Sequence, residues 1–277
     1  RVMRASGVPE RFVTGKANFR EKYDHFAAIM PGLVGNPIYH WSHLELKRFF
    51  GVDELLNAQT ANTIWDKANA CLQSPEGAAR ALITSSNVRA LCTTDDPADD
   101  LKYHRLLAQD DSFGVKVRPT FRPEKALNVA DPGFAAYLTR LGEAAGLTIR
   151  TIDDMKQALE KRVEYFASCG CRLSDHSFGT PDFTIWDESA AEEAFDKALA
   201  GEELLDYEVS AYQAVMLDLL GGLYADHGFT MQIHMGVIRN LNTRGYRALG
   251  AVARRRDRAT AAVRCTRRRG LGEPRLH

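Results

Sequence analysis

The sequence predicts an α/β protein built on a parallel sheet, and three observations predict it. The first 85 residues carry helical patterns with no clear strand. From residue 86 a unit repeats, in which a short β-prone apolar run ends in a polar cluster and a helical segment follows. After about residue 249 the composition turns arginine-rich and loses any hydrophobic period. The expected organisation is a helical region over 1–85, a βα region over 86–249 and a separate tail over 250–277.

In the first region Glu21 to Met30 is amphipathic. Ser42-His43-Leu44-Glu45 has the S-x-x-E spacing in which two side chains satisfy two orphan backbone N–H groups, so a helix is predicted to start at Ser42. Thr60 to Leu72 and Glu76 to Thr84 complete the helical region. The first β-prone run is Val88 to Cys92, ending in Thr93-Thr94-Asp95-Asp96, with Pro97 at a favourable first position of a helix through Gln109. The second is Val115 to Pro119, ending in Thr120-Phe121-Arg122-Pro123, and its helix is predicted from about Asp131 to Ala145. A helix from Asp153 to Ser168, which Gly170 can end in the left-handed conformation, leads to the third run. That run is Cys171 to Leu173, closing in Ser174-Asp175-His176. Two helices follow, and the longer carries Val209, Tyr212, Val215, Met216 and Leu220 at helical spacing before the fourth run, Thr230 to Met235.

Sequential βα units imply parallel strands joined by right-handed crossovers, so all four polar clusters emerge at the carboxyl edge of one sheet. That edge is the active-site face of a (β/α)8 barrel and also the ligand edge of an open doubly wound sheet. The place of the site therefore follows while the two architectures stay open. Arg122, Asp175 and His234 converge there from distant positions, with His176 as a second imidazole. Arginine offers a planar fork to a carboxylate, and aspartate and histidine move protons or ligate metal, a set suited to sugar-acid chemistry. Asp96 before Pro97 has the wording of a helix cap, whereas Asp95, one residue nearer the strand, is expected to face the pocket. Each residue alone has a plainer reading, since strand-end aspartates cap helices and a histidine between Ile233 and Met235 suits a core. Their arrival at one edge favours function.

Composition bounds the rest. Hydrophobic residues make up 45% and charged residues 26% of the 277, the balance of a globular chain rather than a disordered one. No apolar run reaches membrane-helix length, and the start shows no secretory h-region. The five cysteines lack C-x-x-C spacing, so a reducing cytoplasm is expected. No glycine-rich phosphate loop and no H-E-x-x-H occurs. Residues 1–250 carry 27 basic and 34 acidic side chains, whereas 251–277 carry nine and two. A basic tail for nucleic acid is one reading of that asymmetry. Out-of-frame translation of a GC-rich gene also yields such arginine-rich peptide and is the preferred one.

Five segments then carry a resemblance: Gly35-Asn36-Pro37-Ile38-Tyr39-His40-Trp41-Ser42-His43-Leu44-Glu45-Leu46, Cys92-Thr93-Thr94-Asp95-Asp96-Pro97, Pro119-Thr120-Phe121-Arg122-Pro123, Gly170-Cys171-Arg172-Leu173-Ser174-Asp175-His176 and Met231-Gln232-Ile233-His234-Met235-Gly236. Together, and in order, they resemble the uronate isomerase family over roughly residues 1 to 249. The resemblance implies an amidohydrolase-type (β/α)8 barrel of the TIM type, about half of it visible, with the all-helical region inserted after the first strand. It implies the aldose–ketose isomerisation of D-glucuronate to D-fructuronate, and of D-galacturonate to D-tagaturonate, through a cis-enediol. It also implies a divalent metal, zinc by preference, and a small-molecule hexuronate as the partner, with a homo-oligomer left open. By motif position Arg122 would meet the substrate carboxylate or hydroxyls, Asp175 would hydrogen-bond or transfer a proton, and His234 would stand on the metal side. His176 and Asp95 would lie beside the substrate.

The family's His-x-His and its C-terminal metal-binding aspartate are absent from this sequence, which contains no H-x-H anywhere. Two other readings stand behind the first: a different amidohydrolase-type metal-dependent enzyme, and a non-catalytic fragment with a nucleic-acid-binding tail. Because a half barrel leaves sheet edges uncovered, the chain as written is expected to be inactive. Incubation with glucuronate and Zn²⁺ checks this, with no fructuronate the expected result and its formation the contrary one.

Overall fold

The computed structural model describes residues 1–178 and 185–235, together with Arg247 and the backbone of Ala259–Arg264. The chain divides into two compact units, Arg1–Val88 and Arg89–His277.

The first unit is helical. A short helix α1 (Val2–Ala5) precedes α2 (Phe19–Ile29), α3 (Pro37–Phe50), α4 (Ala61–Leu72) and α5 (Ala79–Ser85). Asn18 and Glu21 cap α2 reciprocally, each side chain accepting from the other residue's backbone N–H. The helix predicted to start at Ser42 starts five residues earlier. Asn36 accepts from the Ile38 N–H at 3.0 Å, and Pro37 takes the first helical position, where a missing N–H costs nothing. That pair outcompetes the S-x-x-E spacing, which lies inside α3. His43 is used structurally, with Nδ1 2.7 Å from the Tyr39 carbonyl and Nε2 accepting from Leu56 N at 2.9 Å. The unit's core gathers Ala27, Met30, Leu33, Val52, Leu56, Ala61 and Ile64.

The second unit runs β1 (Ala90–Cys92), α6 (Lys102–Ala108), β2 (Lys116–Arg118), α7 (Glu124–Leu127), α8 (Phe134–Ala145), α9 (Ile152–Ser168), β3 (Leu173–Ser177), α10 (Glu188–Ala200), α11 (Asp206–Asp226), β4 (Thr230–Met235) and β5 (Ala259–Arg264). β1 pairs with β2 and β3 with β4, both parallel, and β5 runs antiparallel to β4. Apart from the β5 backbone, the arginine-rich stretch 250–277 lies outside the described residues.

Phe121 joins the two strand pairs. Its N–H donates to the Leu173 carbonyl at 3.0 Å, and its carbonyl accepts from Asp175 N at 2.9 Å. On its other side the parallel bridge to Asp95 completes a continuous row from β1 to β4. The Phe121 ring is fully buried, edge-on to Phe166 of α9 at 5.0 Å and near Tyr224 of α11 at 6.1 Å. One residue therefore holds the backbone row and anchors the helix layer against it.

Helix ends explain how β3 is delivered. Thr151 and Asp154 cap α9 at its start. At its end Gly170 adopts φ +88°, Cys171 N donates to Phe166 O and Gly170 N to Ala167 O, closing the last turn and turning the chain into β3. A Cβ at Gly170 would run into the Arg118 guanidinium. The helix predicted from Pro97 is shorter than expected, because residues 97–98 form a turn and α6 begins only at Lys102. Leu101 takes φ +50° there with its side chain 3% exposed in the core, so burial holds a backbone conformation that leucine disfavours.

Replacing Phe121 with alanine is expected to cost about 3–5 kcal/mol of stability, from the lost ring and the cavity left behind. Urea denaturation of the variant measures it. A loss below about 1 kcal/mol would show that the strand row does not depend on this ring.

Candidate active site

Alternation along β3 and β4 decides which side chains meet. Asp175 stands opposite Gln232 and Ser177 opposite His234, so Asp175, Gln232 and His234 share one face of the sheet. Arg122 follows Phe121, whose ring enters the helix layer, and reaches the same face. Arg122 Nη1 donates to Asp175 Oδ2 at 2.8 Å. Its Nε and Nη2 both donate to Glu124 Oε2, at 2.9 and 2.7 Å. His234 Nε2 lies 2.8 Å from Asp175 Oδ1, a contact that requires the proton on Nε2. Gln232 Nε2, 3.0 Å from both Asp175 Oδ1 and His234 Nε2, then donates to the carboxylate alone. The Asp175 side chain is 7% exposed and is satisfied by a guanidinium, an amide and an imidazole, the condition under which a buried carboxylate is tolerable.

Beside this cluster opens a cavity of about 600 Å³. Thr94, Asp95 and Asp96 line it from the loop after β1, Arg122, Glu124 and Lys125 from the segment after β2, and Tyr137 and Arg140 from α8. Asp96 accepts from Tyr137 Oη at 3.1 Å and from Ala98 N at 3.0 Å, and pairs with Lys125 Nζ at 2.8 Å, which is a structural use of that carboxylate. Burial and the Asp96 charge push the Tyr137 phenol above its ordinary pKa, so it acts as a donor. The loop itself is pinned from α9. Arg162 is 6% exposed and donates to Pro97 O at 2.6 Å, Asp99 O at 2.8 Å and Ala144 O at 2.9 Å.

Of the five residues expected at the site, three are joined in one group, Asp95 lines the adjoining cavity, and His176 lies elsewhere. Arg122, Asp175 and His234 form one connected group. Asp95 is registered with Phe121 in the row. It lines the cavity but is held by Thr93 Oγ1 at 2.6 Å and Thr120 N at 3.1 Å, with His104 Nε2 3.7 Å away. His176 is the clearer departure. As the neighbour of Asp175 within a strand it points into the helix layer, its ring stacked with Phe178 at 6.1 Å and beside Tyr224 at 5.6 Å. It is 1% exposed and neither ring nitrogen has a hydrogen-bond partner. Burial drives its pKa down from 6.5 to about 4, so it is neutral at ordinary pH. Gln232 and Glu124 belong to the cluster and were not foreseen. Period-two alternation from His234 would have found Gln232.

Among the described residues no group of three or more His, Cys, Asp or Glu side chains is placed to hold a metal ion. Asp175 and His234 supply two donors already facing each other, and a catalytic zinc site draws on three protein ligands. The described donor set does not fit a divalent cation.

Fold and cluster together define an α/β protein with an arginine, an acid and an imidazole at the carboxyl edge of parallel strands, beside a cavity of about 600 Å³. A family model for glucuronate isomerase matches residues 1–259, and the chain belongs to that family. It is 46% identical over 253 residues to a uronate isomerase of Clostridium perfringens, covering 91% of this chain and 54% of that protein. A uronate isomerase of Caldicellulosiruptor saccharolyticus is likewise 46% identical, with 90% and 53% covered. The crystal structure of a uronate isomerase from Thermotoga maritima superimposes with a TM-score of 0.85 at 35% identity, covering 91% of this chain and 55% of that one. The chain thus spans about half the length of the curated relatives it matches.

The buried His176 makes stability depend on pH with a definite sign. Between pH 6.5 and about 4 the unfolded chain binds a proton that the folded one refuses, so this contribution is complete above 6.5 and is lost as pH falls. Its size is on the order of 3 kcal/mol. Urea midpoints for the protein and for His176→Phe near neutral pH and near the acid limit check this. The variant is expected to lose less stability on acidification, and equal losses would contradict the burial account.

Proposed function

We propose that this chain supplies the sugar-acid clamp and the proton-transfer pair of a hexuronate isomerase. The observation that supports this most is the connected Arg122–Asp175–His234 group, with both links at 2.8 Å, on one sheet face beside a cavity of about 600 Å³. On this reading the four parallel strands are an arc of a (β/α)8 barrel and the working compartment is the cytoplasm. No helix among the described residues is long and apolar enough to cross a membrane.

The chemistry follows from what each group can do. Arg122 binds the sugar's carboxylate through two N–H bonds, which fixes the opposite, aldehyde end of an open-chain hexuronate near Asp175 and His234. Asp175 takes the proton from C2. The C2–H electron pair becomes the C1=C2 bond, and the carbonyl pair moves onto O1, which takes the proton from His234 Nε2. In the return half the O2 proton goes to His234, C2=O forms, and C1 receives the proton held by Asp175. The aldose has become the ketose with no net gain or loss of atoms. Gln232 holds Asp175 in place throughout. A divalent ion would serve the developing oxyanion, but the described donors do not form a site for one and no step here passes through it.

In the whole protein, Asp175→Asn is expected to lower kcat for glucuronate-to-fructuronate conversion by about a hundredfold or more, with KM changed far less. Arg122→Met is expected instead to raise KM about tenfold or more. Product formation followed by proton NMR checks both. A wild-type kcat in the Asp175 variant would remove the proton-transfer assignment.

A further inference from the structure

Arg122 presents its anion-binding edge to a carboxylate that belongs to the protein itself. Both Nε and Nη2 converge on Glu124 Oε2, at 2.9 and 2.7 Å, while Nη1 holds Asp175 at 2.8 Å. The edge a ligand carboxylate would use is therefore already filled with the chemistry it is suited to bind.

We propose that Glu124 is an internal stand-in for the substrate's carboxylate, which a sugar acid must displace from Arg122, and that Glu124 thereby sets how strongly the site prefers an anionic sugar. The inference rests on the hexuronate reading of Arg122 above. Exposure decides which of the two carboxylates yields. The Asp175 side chain is 7% exposed and bound on three sides, whereas that of Glu124 is 37% exposed. A half-exposed ion pair contributes little stability, so the exchange of one carboxylate for another at Arg122 is nearly balanced. Backbone geometry limits the movement to the side chain, because Glu124 is the first residue of α7, directly after Pro123. Room is present, since Arg122 and Glu124 open onto the same cavity of about 600 Å³. The neighbouring cation Lys125 is already paired with Asp96 at 2.8 Å.

A filled edge penalises the anionic sugar alone, so it narrows the preference for it. A neutral sugar cannot replace the Glu124 charge and must bind without the guanidinium, whereas a carboxylate replaces it in kind. Removing the Glu124 charge should thus favour the anionic ligand and leave the neutral one alone.

Isothermal titration of this 277-residue chain with D-glucuronate, and with D-glucose as the neutral probe, tests the idea in the parent, in Glu124→Ala and in Glu124→Gln. Thermal melting of each variant establishes that it is folded, and the isosteric glutamine serves should the alanine destabilise α7. The expected result is glucuronate binding tightened by about three- to tenfold in both variants, with glucose unchanged. The gain should vanish when Arg122→Met is added. Unchanged or weaker glucuronate binding in the variants, against measurable binding by the parent, overturns the role of Glu124 while leaving the hexuronate reading intact. An equal gain for glucose, or a gain that survives Arg122→Met, also overturns it. Absence of glucuronate binding in all proteins removes the hexuronate reading and this inference together.

Discussion

The parallel row through Phe121 is the constraint on which the rest depends. Two hydrogen bonds, from Phe121 N to Leu173 O and from Asp175 N to Phe121 O, fix the register between the segment after β2 and strand β3. That register places Arg122 next to Asp175, and the β3–β4 register then places Asp175 next to Gln232 and His234. A slip of one residue would send Asp175 into the helix layer and His176 into the cluster. The ring of Phe121 opposes such a slip, because it is packed between α9 and α11 and cannot move without opening the core.

Electrostatics then works at short range. One guanidinium is shared between a buried carboxylate and an exposed one, and the buried one is shared again with an imidazole and an amide. A network of this kind is stable only when every member is satisfied, and it is responsive where one partner faces solvent. The solvent-facing partner here is Glu124. Away from the cluster, Arg162 supports the site indirectly, by spending its donors on three backbone carbonyls that shape the loop lining the cavity.

Much of this was legible in the sequence because local rules and tertiary needs agree. Gly170 after Ser168 marks the end of α9, and the apolar spacing from Val209 to Leu220 marks α11. Arg122, Asp175 and His234 were readable as strand-end residues of successive βα units. The misreading of His176 has its origin in the length of strand three. Ending it at Leu173 makes Asp175 and His176 neighbours in a loop, free to face one pocket, whereas β3 continues to Ser177 and alternation separates them. Asp95 lines the cavity, with its carboxylate held by Thr93 Oγ1 and Thr120 N. Glu124 was hidden because its partner, Arg122, was assigned wholly to a ligand. At Ser42 a plausible capping pattern lost to the Asn36-Pro37 pair five residues upstream.

On the hexuronate reading, Arg122, Asp175 and His234 grip one sugar acid from two ends. A structure determined with D-glucuronate bound tests it most directly. The sugar carboxylate is expected on the Nε and Nη2 edge of Arg122, with Glu124 turned away and the C1–C2 end against Asp175 and His234. A sugar lodged elsewhere, or reversed so that its carboxylate meets His234, would contradict it.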